Sequence, residues 1–195
     1  MRNAEFDREK VLRGAIKAFI TKGYTKTSMQ DLKSATGLHP GSIYCAFENK
    51  QGLMLAAIEQ YDKDKTVEFK QLFAGKERLL DGILAYLQRT VAEVTSTESG
   101  CHKACLSQKA LSELCDNEPE IEEALKQSMK NWQNGFLNIF QQAQANGELN
   151  DNRPPEQRVQ SLVMGIFGLR TYAQTQSDPE LLASLAKQLF EDVCR

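Results

Sequence analysis

The chain has little of what marks membrane proteins, secreted proteins and most enzymes. Its longest apolar runs, such as Leu162–Leu169, fall far short of the roughly 20 residues that span a bilayer. Met1-Arg2-Asn3-Ala4-Glu5 has no apolar run of the secretory kind. The expectation is a cytoplasmic protein with no membrane partner. There are two histidines, His39 and His102, and no phosphate-cradling glycine loop, paired catalytic carboxylates or nucleophile elbow. No enzyme, and no cofactor, is expected. The five prolines are scattered, and no segment is of low complexity. No stretch alternates with period two, so strands are not expected and the fold class is all-α. The five cysteines, Cys45, Cys101, Cys105, Cys115 and Cys194, are expected to be reduced in a cytoplasmic setting.

What is present is an ordinary globular composition with an uneven charge. The 195 residues are 41% hydrophobic and 26% charged, enough for one or two domains with a real core. The net charge of −2 conceals two halves. Residues 1–50 hold nine basic and five acidic side chains, a net of +4; the remainder holds 15 basic and 21 acidic, a net of −6. A basic head on an acidic body suits a phosphate-facing segment joined to one that does not face phosphate. An ordinary solvated surface gives the same count, so charge alone does not decide.

The stretch Thr25–Lys50 decides more. Met29, Leu32 and Ala35 recur every three residues, which predicts a short helix. Thr27 or Ser28 can cap it with a hydroxyl, and Gly37 can end it in the left-handed region. Pro40 or Gly41 opens a second helix, where a missing N–H costs nothing. Ile43 and Phe47, four apart, point that helix inward, leaving Ser42, Tyr44 and Cys45 outward. This is a helix-turn-helix, whose second helix lies in the DNA major groove.

Lys22-Gly23-Tyr24-Thr25, Thr27-Ser28-Met29-Gln30-Asp31-Leu32, Gly37-Leu38, Gly41-Ser42-Ile43-Tyr44, Phe47 and Asn49-Lys50 together resemble the N-terminal domain of the TetR/AcrR family of transcriptional regulators. One position departs: Lys33 stands where many members have alanine. The resemblance implies a three-helix DNA-binding domain at 1–50 and a helical ligand-binding and dimerisation domain at 51–195, about nine helices in all. It implies Tyr44 and Lys50 as phosphate contacts, with Thr27 and Ser28 in the first turn of helix two also near the backbone. His39, Gly41, Ser42 and Cys45 complete the groove-facing set. Gly41 permits close approach, and Ser42 and Cys45 can meet base edges or a thymine methyl. The implied partner is double-stranded operator DNA, and the implied role is that of a repressor. The competing reading is an interaction-only helical protein.

Around this segment the apolar spacing places the other helices. Helix one runs from a cap at Asp7 to about Lys22, and its first residues approach the DNA backbone. A long helix follows Asn49 to about Phe73, with Asp62-Lys63-Asp64-Lys65 as a solvated stretch. Further helices are expected at 77–95, Cys101–Cys115, from Pro119 to about Asn146, at 155–176, and from Pro179 onward. Helix eight reads as apolar nearly all round, with Gly165 and Gly168 where a partner helix can approach. The resemblance implies a homodimer formed through helices eight and nine, and an unknown small-molecule effector.

Two sets in the body are candidates for that effector or for a chemical signal. Tyr86, Met129, Trp132, Phe136 and Met164 form an apolar set that can line a pocket or simply be core. Gly100-Cys101-His102-Lys103-Ala104-Cys105 makes Cys101, with Cys105, a candidate redox sensor. A thiol near a helix N-terminus beside His102 and Lys103 has a lowered pKa, although inert thiols fit the same sequence. Some subgroups of the family carry Gly-Cys-Leu here; this chain has Gly100-Cys101 and then His102. One cysteine pair and a histidine make a weak metal signature, and no metal is expected.

Overall fold

Asp7 begins the first helix, α1 (Arg8–Lys22), by accepting a hydrogen bond from the Lys10 amide at 3.0 Å. The computed structural model describes residues 6–96, 105–113, 118–150, 152–176 and 178–195. Within these, eight further helices follow: α2 (Met29–Thr36), α3 (Pro40–Phe47), α4 (Lys50–Phe73), α5 (Leu79–Thr95), α6 (Leu106–Leu111), α7 (Pro119–Ala145), α8 (Pro155–Tyr172) and α9 (Pro179–Cys194). No strand occurs among the described residues. The described helix α6 is shorter than the expected Cys101–Cys115, whose ends lie outside the described residues.

The chain forms two compact units, one of Met1–Lys65 with Cys105–Met129, the other of Thr66–Ala104 with Lys130–Arg195. It passes from the first to the second within α4, returns to the first at Cys105, and passes to the second again within α7.

In the first unit, α2 begins with a reciprocal cap. The Asp31 amide donates to the Ser28 hydroxyl at 3.2 Å, and the Ser28 amide donates to the Asp31 carboxylate at 3.0 Å. Gly37, at φ 74°, ends the helix in the left-handed region that glycine enters without penalty. Val11, Leu12, Ala15, Ile16 and Phe19 of α1 form one core with Leu32, Ile43, Phe47, Leu53, Met54 and Ala57. Leu106 and Ala110 of α6, and Ile121 and Leu125 of α7, belong to the same cluster.

The stretch Asp62–Lys65 is less solvated than its charges suggest. The Arg13 guanidinium donates twice to Asp64, at 2.8 and 2.9 Å, and Lys63 pairs with Glu9 at 2.6 Å, so α4 is tied to α1. Asp62 turns inward and accepts from the Ser128 hydroxyl at 2.5 Å; burial pushes its pKa up, against the effect of that bond.

In the second unit, Leu80, Ile83, Leu87 and Val91 of α5 pack with Phe136 and Phe140 of α7, and with Leu162, Ile166 and Leu169 of α8 and Leu182 and Ala186 of α9. Glu148 caps α5, accepting from the Leu79 and Leu80 amides at 3.0 and 3.2 Å. Arg158, only 1% exposed, donates to the carbonyls of Val193 and Arg195 at 2.6 Å and to the Asn150 side chain at 2.8 Å. A buried guanidinium at the C-terminal end of α9 satisfies carbonyls that the helix leaves open and complements its dipole. Helix α8 is not buried all round. Val159, Leu162, Val163, Ile166 and Leu169 face the core, while Met164 is 73% and Tyr172 45% exposed. Gly165 meets the Leu189 side chain of α9, and Gly168 meets nothing.

Gly14 shows how closely α1 and α2 approach: a Cβ there would overlap the Ala35 carbonyl oxygen. Alanine gains about 1 kcal/mol of helix propensity over glycine. Here the obstacle is backbone, so the overlap, worth about 1–3 kcal/mol, outweighs that gain. Gly14→Ala is therefore expected to lower the urea midpoint of unfolding. An unchanged or raised midpoint would show that α1 and α2 separate freely.

Candidate nucleic-acid interface

The eight residues of α3 separate into two faces. Ile43 is fully buried and Phe47 is 5% exposed, both within the first core. His39 precedes the helix with no side-chain cap bond, Pro40 takes the first turn, and His39, Gly41, Tyr44 and Cys45 are exposed. Tyr44 is 49% exposed, a large aromatic presented to solvent. Ser42 is half-buried at the edge of this face. Gly41 has open space around its Cα, so a nucleic-acid backbone can come close there.

The flanking residues divide differently from the expectation. Ser28 is exposed, but its hydroxyl is engaged with the Asp31 carboxylate at 2.8 Å. Lys22 pairs with the same carboxylate at 2.5 Å, and these bonds, that of Lys22 first, lower the Asp31 pKa to about 2. Thr27 does not lie on the surface. It is 1% exposed and its hydroxyl donates to the Gly23 carbonyl at 2.5 Å, which closes the turn between α1 and α2. Its side chain is a packing element in this conformation rather than a phosphate contact. Lys50 opens α4 half-buried. Its ammonium lies 4.5 Å from the centroid of the Tyr24 ring and donates to the Thr25 carbonyl at 3.4 Å. Arg8, the first residue of α1, adds an exposed cation, its guanidinium 4.8 Å from the ring centroid of Phe47 in α3.

Two short helices at a tight turn, the second with an outward polar and aromatic face, match a known family. Residues 11–57 match the family model described as bacterial regulatory proteins of the tetR family, and residues 76–189 match that of the tetracyclin repressor-like C-terminal domain. The chain belongs to the TetR family. It is a DNA-binding transcriptional regulator, as the family resemblance in its first 50 residues implies. Among its relatives is the transcriptional regulator AcuR of Cereibacter sphaeroides, 27% identical over 190 residues, 95% of this chain and 84% of AcuR. The repressor NemR of Escherichia coli is 26% identical over 144 residues, 73% of this chain and 69% of NemR. A solved structure of CifR in complex with operator DNA superposes with a TM-score of 0.86 at 25% identity, covering 97% of this chain and 98% of CifR.

The body of this TetR-family chain is less simply divided. Tyr86, Trp132 and Phe136 do come together, in a cluster with Phe69 and Phe167. The Trp132 indole donates to the Tyr86 hydroxyl at 3.0 Å, and the Tyr86 and Trp132 ring centroids lie 4.9 and 5.4 Å from that of Phe136. Met164 is not part of this set: it points to solvent on the outer face of α8. Met129 falls in the other packing unit. Helical spacing placed Met129 on the α7 stripe but could not say where the packing unit changes along that helix, nor which side of α8 carries Met164. The second unit also has an open cavity of about 500 Å³ between α5 and α9, lined by Leu84, Leu87, Gln88, Val91, Ala186 and Phe190 among others. Those residues read as ordinary amphipathic spacing, and nothing in the sequence pairs the two helices.

Cys101 and its neighbours His102 and Lys103, like Cys115, lie outside the described residues. Cys105 is free and half-buried at the start of α6, where its side chain makes no cap bond. No group of three metal-ligating side chains occurs among the described residues, and no helix there is long and apolar enough to cross a membrane. Cys45 and Cys194 are free, but they differ. Cys45 is exposed, whereas burial pushes the Cys194 thiol up to about 12. Since the thiolate is the nucleophile, Cys194 should be almost wholly protonated at pH 8. A disulfide reagent at pH 8 is expected to label exposed Cys45 quickly and half-buried Cys194 much more slowly, read by mass spectrometry of the digested protein. Equal labelling of the two in the folded state would contradict the burial of Cys194.

Proposed function

We propose that this chain is a cytoplasmic, homodimeric repressor, released from its operator by a small-molecule effector or by modification of a body cysteine. The observation that carries the reading is α3. Ile43 and Phe47 fix it in a core, and Tyr44, Gly41 and Cys45, with His39 just before the helix, are left exposed on its outer side. In support, the CifR of the matched structure is complexed with a 26 bp double-strand operator, and NemR and ComR are named repressors.

In this reading residues 1–50 are the DNA-binding domain and residues 51–195 the regulatory and dimerisation domain. Two copies join through α8 and α9. Met164, Gly168 and Tyr172 give α8 an outer face where a second helix can come close, which the glycine permits and the exposed apolar side chains favour. Two α3 helices about one helical turn, ~34 Å, apart then reach successive major grooves on one face of DNA. The effector site is placed at the cluster of Tyr86, Trp132 and Phe136, and the sensor at Cys101 with Cys105. A matched CifR structure is a cysteine mutant, and a matched NemR structure is of its reduced form. Release needs only that the effector or the modified thiol favour a body state with lower DNA affinity.

Fluorescence-polarisation titrations against DNA from upstream of the chain's own gene, at two salt concentrations, test this directly. Tyr44→Ala is expected to weaken binding to all sequences, and Lys50→Ala to reduce the salt slope by about one. Binding unchanged in either variant would remove that residue from the contacts. Separately, Met164→Glu is expected to give monomers by sedimentation equilibrium, since it places a charge on the proposed dimer face. A dimer that tolerates the glutamate would move the interface away from α8.

A further inference from the structure

Three carboxylates, from the end of α6 and the start of α7, lie against the corner where α1 ends and α4 begins. Glu113 packs on Gly23 so closely that a Cβ there would overlap its oxygens. One Glu113 oxygen pairs with Lys109 at 3.0 Å and the other is buried without a hydrogen bond. Glu118 accepts from the Tyr24 hydroxyl at 3.2 Å. Glu120 accepts from the Gln51 amide at 3.1 Å. All of these residues belong to the first unit.

Tyr24 thus touches two opposite charges: the Glu118 carboxylate at its hydroxyl and the Lys50 ammonium over its ring. The two charges feel each other, since Glu118 raises the Lys50 pKa against the larger lowering by burial. Lys50 is also the cation assigned above to a DNA phosphate. An arriving phosphate therefore meets a lysine that already has an anion of the protein nearby, and like charges brought to one cation oppose each other.

We propose that Glu118 is a positioning residue for DNA binding. Held by Tyr24, its carboxylate draws Lys50 back onto the aromatic ring and weakens the lysine's contact with phosphate. This rests on the reading of Lys50 as a phosphate contact. Because Glu118 immediately precedes α7, any shift of the α7 N-terminus alters how strongly Lys50 is restrained. The bond from Tyr24 taken alone fits a merely structural tie. What distinguishes the two roles is charge, and Glu118→Gln removes the charge while keeping an oxygen that can accept from Tyr24.

The test is the affinity of the 195-residue chain for the same upstream DNA by fluorescence polarisation across a salt series, for the unsubstituted chain, Glu118→Gln, Lys50→Ala and the double variant. Glu118→Gln is expected to tighten binding by about three- to tenfold at low salt, the charge term of one nearby pair in a high-dielectric setting. The gain should shrink as salt rises and vanish in the Lys50→Ala background. Glu118→Asp, which keeps the charge but withdraws it by one methylene, is expected to give a smaller gain and serves if the amide variant unfolds, as read by circular dichroism. Unchanged or weaker binding by Glu118→Gln, with Lys50→Ala still weakening it, overturns the inference and leaves the Lys50 contact standing. A gain that persists without Lys50 also overturns it. Lys50→Ala with no effect overturns both.

Discussion

An eight-residue helix does not hold its shape in water by itself, so α3 depends on the burial of Ile43 and Phe47. Everything that presents the outward face follows from that. The two side chains sit in one core with Leu12, Phe19, Leu32 and Leu53. They orient α3 because residues four apart share one side of a helix. The turn before α3 is set by Gly37, and the start of α2 by the reciprocal bonds of Ser28 and Asp31. Local geometry and core packing therefore favour one orientation of the same eight residues.

That core is not completed by the reading head. Leu106 and Ala110 of α6, and Ile121 and Leu125 of α7, bury their side chains in it. A head that is finished by elements from the middle of the chain depends on where those elements sit. A displaced α6 or α7 would uncover apolar surface of this core, at about 25 cal/mol per Å². The carboxylates of Glu113, Glu118 and Glu120 lie along the same junction, so packing and charge act on one corner.

The head was largely legible in the sequence. Signals at Asp7 and Gly37 and the spacing of Ile43 and Phe47 are local and stand where the pattern places them, while the structure chooses Ser28 over Thr27 as cap and Pro40 over Gly41 as helix start. Thr27 was not legible: a threonine beside a capping serine can face either way, and only the Gly23 carbonyl decides. The Asp62–Lys65 run was misread for a similar reason, since charge along the sequence does not show that Arg13, 51 residues away, is the partner of Asp64. In the body, Met164 was grouped with the aromatic set as a neighbour, whereas it is exposed on the outer face of α8. Tyr86, Trp132 and Phe136 did meet, because large aromatics on facing helices bury the most area. The acidic contacts of Tyr24 and Gln51 involve partners 94 and 69 residues away, a distance no local pattern reaches.

In the proposed dimer the outer face of α3 meets a major groove twice. Selection of bound sequences from a randomised DNA pool, followed by hydroxyl-radical footprinting of the winning duplex, tests it most directly. The expected result is an inverted repeat with protected patches on one face of the duplex, centred about one helical turn, ~34 Å, apart. Recovery of no preferred sequence, or of a single protected patch with no symmetry, would contradict it.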